Sequence, residues 1–214
     1  CARPSWPIRT SYWPDRRPRS ALARLRPPGE GRQAGRSGQR WEAPWWHCTN
    51  AGMPSVSAVR PATPEDVPTI VRFVRELAEY EKAHDQVAAD EGHFMAALFP
   101  AHGEPAAFAH SAEVDGVAAG MAVWFLSFST WTGTHGIWLE DLYVTPDQRG
   151  SGLGGELLAT LAALCVERGY HRLEWWVLDW NTPSIGFYES IGAIAQDEWT
   201  RFRLDGAALQ RCAR

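Results

Sequence analysis

Apolar and polar positions alternate in two periods along this chain, and each change of period marks an element. Residues 56–60 alternate as a short strand. Thr63-Pro64-Glu65-Asp66 then carries the signals of a helix start, with Thr63 at the N-cap, Pro64 at the first helical position and Asp66 at the third. Ile70, Val71, Val74, Leu77 and Ala78 recur at helical spacing to about Glu81. A second helix is expected over about 90–98, stopped by Pro100. Residues 106–114 and 117–127 read as strands joined by Asp115-Gly116, a tight-hairpin dipeptide. A polar loop at 128–134 leads to a strand at 138–144, closed by Thr145-Pro146-Asp147 because proline cannot continue a ladder. Leu157, Leu158, Leu161, Leu164 and Cys165 predict a helix ending near Arg168, with Gly169 as its C-terminal cap. Residues 172–178 read as a buried strand, Asn181-Thr182-Pro183 opens a short helix ending at Gly192, and 199–204 reads as a last strand. A hairpin-built meander followed by strand, helix, strand, helix and strand predicts a mixed α/β (α+β) sheet with helices on both faces.

Residues 1–52 have no such period. They hold ten arginines, seven prolines and five tryptophans, with breakers at Pro27-Pro28-Gly29 and Gly35-Arg36-Ser37-Gly38. Such a segment cannot bury a continuous face, and a disordered or loosely docked arm is expected. It lacks the apolar core of a secretory signal. Met53 stands immediately before the first strand, and no methionine precedes it. We therefore expect a domain over 53–214, with natural translation starting at Met53 and the arm a non-native upstream extension.

Charge divides the chain at the same point. The first 52 residues carry ten arginines against three acids, net +7, whereas 53–214 carry eleven basic against twenty-two acidic residues, net −11. An acidic domain disfavours nucleic acid as a partner, because phosphate binding needs a basic face, and it suits a cationic small molecule. The four cysteines, Cys1, Cys48, Cys165 and Cys212, have no paired spacing, so neither a metal nor an oxidising compartment is indicated. The longest apolar runs fall far short of the roughly 20 residues of a membrane span. A cytoplasmic protein without membrane or metal is expected.

The most informative stretch joins the strand at 138–144 to the helix after it. Arg149, Gly150, Ser151, Gly152, Leu153, Gly154 and Gly155 form a basic glycine loop ahead of a helix, which predicts a phosphate or pyrophosphate site. Gly150, Gly152 and Gly155 also fit a dinucleotide pattern. Four strands precede them, however, and too little chain follows for a second mononucleotide half. A P-loop is excluded because no Gly-Lys-Ser/Thr follows. The order of strand, Arg-x-x-Gly-x-Gly-like loop, helix, strand and Asn181-led helix resembles the GNAT N-acetyltransferases, over about 56–209. Tyr80-Glu81, Leu139-Glu140-Asp141 and Asn181-Thr182-Pro183-Ser184 through Tyr188 are similar to the spermidine/spermine (diamine) branch.

That resemblance implies a mostly antiparallel sheet whose one splayed parallel strand pair holds acetyl-CoA as co-substrate, and a homodimer. It implies that Leu142, Tyr143 and Val144 offer backbone to the pantetheine. Residues Arg149 to Gly155 would hold the pyrophosphate, and Asn181, Thr182, Pro183 and Ser184 the cofactor's other end. It implies Tyr188 as general acid, and Tyr80, Glu81, Glu140, Glu174, Trp175, Trp176 and Glu198 as substrate contacts. Trp175 and Trp176 are bulkier than their counterparts, so the acceptor's size is left open.

The chemistry asks for the same groups. An ammonium must lose a proton, the thioester carbonyl must be polarised, and the leaving thiolate must gain a proton. Glu140 is the expected base, through water, with Asp141 as a supporting charge. Strand alternation sets these two on opposite faces unless a bulge turns one. His135 is a rival base. One of Trp175 and Trp176 should face the cleft and the other the core. The acids and aromatics suit a polyamine or diamine. A thialysine-like amino acid or another small amine would suit them too, but an amino acid needs a cation for its carboxylate, for which Lys82 and Arg201 are candidates. A non-catalytic acetyl-CoA-binding module is the alternative of another class.

Overall fold

The computed structural model describes residues 56–213, with side chains from 58 onward; the Arg/Pro/Trp-rich arm and Met53 lie outside them. The sheet follows chain order, β1 (Val56–Pro61), β2 (Phe108–Val114), β3 (Val117–Ser129), β4 (Thr134–Val144) and β5 (Leu173–Glu174). The first four pair antiparallel, and β5 runs parallel to β4. The hairpin at Asp115-Gly116 forms as its sequence directs, with both residues at positive φ (50° and 75°) and Val114 opposite Val117.

Helices cover both faces. On one, α1 (Val67–Tyr80) and α2 (Glu91–Leu98) bury Ile70, Phe73 and Leu98 against Met121, Val123 and Tyr143. On the other, α3 (Leu153–Arg168) buries Leu153, Leu157, Leu158, Leu161 and Cys165 against Ala122, Trp124, Ile137 and Leu139. Phe187 and Tyr188 of α4 (Thr182–Ser190) pack on this second cluster. Alternate residues of β3 thus feed alternate cores, as a two-faced sheet requires. The expected start of α1 is realised as a 3-10 turn, Pro64–Asp66, whose Asp66 carboxylate accepts from the Thr63 backbone N–H at 2.7 Å. Gly169 caps α3 at φ 67°.

Two features of β4 position everything that follows. The first is a bulge. Val123 lies opposite Asp141 and Trp124 opposite Leu139, so Glu140 has no partner on β3. Across the bulge, Trp124 is buried, and its indole N–H donates to His110 Nδ1 at 3.1 Å. Burial, and to a lesser degree Arg168, holds the His110 imidazole below its usual range, so it stays neutral and can accept that bond. The second feature is the brevity of β5. Only Ile137↔Leu173 and Trp138↔Glu174 pair, after which the strands part. The buried strand expected over 172–178 is therefore confined to two residues.

The last expected strand, 199–204, does not form. Its residues are exposed and irregular, Phe202 at 91%. A two-residue β5 offers no edge long enough for another strand to join. The chain ends instead in a helix absent from the sequence reading, α5 (Gly206–Cys212). Ala207-Ala208-Leu209-Gln210 are good helix formers, and Asp205 stands at the N-cap position.

Gly136 is what permits the β4–β5 seam. A Cβ there would lie 2.8 Å from Arg172 Cγ, 3.0 Å from the Arg172 carbonyl oxygen and 3.0 Å from Ser127 Oγ. Gly136→Ala is expected to cost about 1–3 kcal/mol, as overpacking does, and to lower the thermal midpoint. Melting followed by circular dichroism measures this, and an unchanged midpoint would mean that the seam tolerates a side chain.

Candidate functional site

Where β4 and β5 part, a cleft of about 870 Å³ opens between them. One wall is β4 itself, from Trp138 through Glu140, Asp141, Leu142 and Tyr143 to Val144. Beyond Trp138 no strand among the described residues pairs with the β5 side of this wall. The floor at one end is the glycine loop, with Arg149, Gly150, Gly152, Gly154 and Gly155. The far wall carries Trp176, Leu178, Asn181, Pro183, Ser184, Phe187 and Tyr188, and the end of α1 adds Tyr80 and Glu81.

The loop presents open backbone to the cleft. Gly150 and Gly152 take φ 81° and 96°, a left-handed region that favours glycine. A Cβ on Gly150, Gly152 or Gly155 would meet nothing within 4 Å, so these glycines leave open space rather than make room for packing. Ser151 Oγ donates to the Gln148 carbonyl (2.7 Å) and accepts from Leu153 N–H (3.4 Å), so its hydroxyl shapes the loop from within. The Leu153 side chain is core, and this residue anchors the first turn of α3. The first-turn N–H groups of a helix have no intrahelical partner, and here those of Gly154 and Gly155 lie at the cleft. Arg149 is tied back by Nε to the Val144 carbonyl at 3.2 Å, with its guanidinium 4.9 Å from the Tyr80 ring centre.

The bulge decides the acids. It removes the strict alternation, and both Glu140 and Asp141 line the cleft. Glu140 is exposed and accepts from the Trp138 indole N–H at 3.0 Å. Asp141 is more enclosed. Burial first, then Glu140 and Glu81, pushes its carboxyl up to about 6. Burial also raises Glu81. The Tyr188 phenol is raised by burial and then by the Glu81 charge, which keeps it protonated at neutral pH. Glu81 thus lies within electrostatic reach of both Asp141 and Tyr188.

Some residues singled out in the sequence serve the site indirectly. Asn181 is buried, and its Oδ1 accepts from Ser184 N–H (3.4 Å) and from the Tyr80 hydroxyl (3.2 Å). Asn181 therefore caps α4 and ties it to the end of α1, a bond worth about 1 kcal/mol. Tyr143 turns its phenol to the α1 face, donating to Glu76 at 2.7 Å, and burial with this bond pushes it up to about 12. Of the two tryptophans, Trp175 packs on the core and on Tyr188 (5.0 Å between rings), while Trp176 lines the cleft, edge-on to Trp138 at 4.6 Å. Glu174 is paired with Arg172 Nε at 2.7 Å, and neither it nor Thr182 nor Glu198 lines the cleft. His135 is held between Phe128 and Tyr170, away from the cleft.

Sequence reasoning missed Trp138 and Arg203, which line the cleft, and gave Arg201 only as a possible cation. Arg201 lies over the Trp176 ring at 3.6 Å. An exposed stack of this kind is worth about 0.5–1 kcal/mol, enough to bias where the guanidinium rests. Alternating tryptophans at 138 and 176 were the available signal, but only the parallel register of β4 and β5 brings them together.

The profile of the acetyltransferase (GNAT) family matches residues 71–193. A thialysine N-epsilon-acetyltransferase of Sus scrofa is 33% identical over 172 residues, covering 72% of this chain and 96% of its own length. An L-ornithine N5-acetyltransferase of Arabidopsis thaliana is 28% identical, covering 72% and 86%. A spermidine/spermine N(1)-acetyltransferase-like protein of Homo sapiens is 29% identical, covering 71% of this chain and 23% of its own. Among solved structures, an integron cassette protein from the mobile metagenome of V. cholerae has a TM-score of 0.61 at 24% identity, covering 73% of this chain and 97% of its own, and so shares the fold. With the glycine loop, the splayed strands and these matches together, the chain belongs to the GNAT family of acetyltransferases.

Proposed function

We propose that this chain moves an acetyl group from acetyl-CoA to the primary amine of a small cationic acceptor. One observation carries the reading. The bulge at Glu140 places two carboxylates in the same cleft as a protonated, half-buried tyrosine and a glycine cradle. The open glycine surface, the free first-turn N–H groups and Arg149 fit a pyrophosphate, and the unpaired edge of Leu142, Tyr143 and Val144 fits a pantetheine arm. Acetyl-CoA, when bound, supplies the activated acyl group.

The protein's own part is charge and proton handling. Glu140, Asp141 and Glu81 draw the ammonium in and favour its desolvation beside the strand. With its carboxyl near 6, Asp141 is matched to accept a proton near neutral pH, and the exposed Glu140 beside it links the site to water. Backbone N–H at the bulge polarises the acyl carbonyl. Tyr188 holds the proton that the departing thiolate needs.

Both a polyamine or diamine and an amino acid with a terminal amine fit the acids. The relatives acting on thialysine and ornithine, together with two arginines in the cleft, favour the amino acid. The reading includes a homodimer, supported by the exposed Ile194, Trp199, Phe202 and Leu204, for which sedimentation equilibrium should give twice the chain mass.

Turnover of acetyl-CoA with putrescine, spermidine, spermine, ornithine and thialysine tests the class. Acetylation of at least one is expected, whereas retained acetyl-CoA binding with no turnover would indicate a non-catalytic module. Tyr188→Phe should lower kcat by roughly 10²–10⁴-fold and leave acetyl-CoA affinity nearly unchanged; equal loss of both would make Tyr188 structural. Asp141 gives a pH signature. Its ionisation is disfavoured in the folded protein relative to the ordinary value of 3.8, so the fold loses stability as pH rises from there through about 6. Asp141→Asn should therefore melt higher than the wild type at pH 7 and slow the reaction, the melting difference vanishing below about 3.8. In the wild type, kcat/KM should fall as pH drops through about 6.

A further inference from the structure

The cleft is electrostatically two-ended. Along β4 the order is Trp138, Glu140, Leu142 and Val144, and Arg149 is tied to Val144. Trp138 and Val144 are six residues apart, roughly 20 Å of strand. The glycine cradle therefore belongs to one end and the Trp138–Trp176 pair to the other, with the acids between. At the second end stands Arg201, over Trp176, and Arg203 also lines the cleft. Among the described residues neither is ion-paired with a carboxylate. Arg201 Cζ lies 3.6 Å from the centre of the Trp176 ring, Trp176 meets Trp138 edge-on at 4.6 Å, and Trp138 donates to Glu140 at 3.0 Å. Two indole rings thus separate a carboxylate from an acid-free guanidinium within one cleft.

We infer that Arg201, held on Trp176, receives the carboxylate of the acceptor and so determines specificity. The preferred acceptor is then an amino acid whose terminal amine reaches the Glu140–Asp141 end, with its methylene chain lying along Trp138 and Trp176. This rests on the acetyltransferase reading above. A polyamine carries only positive charge, and at this end it would meet the Arg201 guanidinium. A guanidinium already oriented by a ring keeps its fork of N–H donors free for a carboxylate, which a lysine there would not match. Arg203 adds a second positive charge to the lining of the cleft. Residues 199–204 thus have a task in irregular form that a strand in the sheet would not perform.

The test compares an amino acid with its own carboxamide, ornithine against ornithinamide, so that size and amine are kept and only the carboxylate is lost. The wild type should prefer the acid in kcat/KM. Arg201→Gln should reduce that acid-to-amide ratio by about tenfold or more, the scale of a charge-assisted bond, chiefly through KM for the acid, and Arg201→Lys should restore part of it. An unchanged ratio in Arg201→Gln, or a wild type indifferent to the carboxylate, would overturn the inference, as would equal loss for acid and amide. Calorimetric titration of the CoA-loaded protein with the same pair reads the contact without turnover. Absence of acetylation with acid-selective binding lost in Arg201→Gln would overturn the enzymatic reading and leave this one standing. Binding that ignores the carboxylate would overturn this one alone.

Discussion

One extra residue in a strand governs this molecule. Because Glu140 has no partner on β3, the side-chain alternation of β4 is reset between Leu139 and Asp141. Before the bulge, odd-numbered Ile137 and Leu139 feed the α3 core; after it, odd-numbered Tyr143 feeds the α1 core. The same reset brings adjacent carboxylates into one cleft and re-aims the strand just beyond its last pairing with β5. Trp124, buried and bonded to a neutral His110, fills the space across from it. Acid cluster, open strand edge and cleft are thus consequences of a single backbone irregularity.

The electrostatics follow from how the walls are joined. The Tyr80–Asn181 bond spans 101 residues of sequence and closes the end of α1 onto the start of α4. That closure brings Glu81 near Tyr188, and the acid in turn holds the phenol's proton more tightly. Glu81 also raises Asp141, after burial and Glu140. Proton donor and proton acceptor thus share one carboxylate neighbour, on top of the burial that raises both.

Much of this was legible in the chain. Helix spacing, the Asp115-Gly116 hairpin, the glycine cap at 169 and the cradle before α3 are local signals, and each formed where its residues required. The bulge was not legible, because nothing in Leu139-Glu140-Asp141 marks an unpaired residue; it exists only through register with β3. The apolar run at 172–178 could not reveal that two residues alone find a partner. The strand expected at 199–204 failed for the same reason, since a strand needs an edge as well as a pattern. Asn181 and Tyr80 were each read as ligand contacts; both line the cleft, and the structure also bonds them to one another, which no local signal announced. Arg203 carried no local signal, and the unexpected α5 was masked by Asp205-Gly206, which reads as a turn.

The two-residue seam between β4 and β5 has a consequence for motion. The four-stranded meander is held by long ladders and by a core on each face, whereas the wall after Gly169 has only two ladder pairings and is otherwise attached by side-chain contacts such as Tyr80–Asn181, Tyr80–Trp180 and Trp138–Trp176 and by the packing of Trp175, Phe187 and Tyr188. A unit attached so lightly opens at a lower free energy than the rest. Amides in that wall are expected to exchange with solvent before those of β3, and a molecule bound across both walls would slow that exchange.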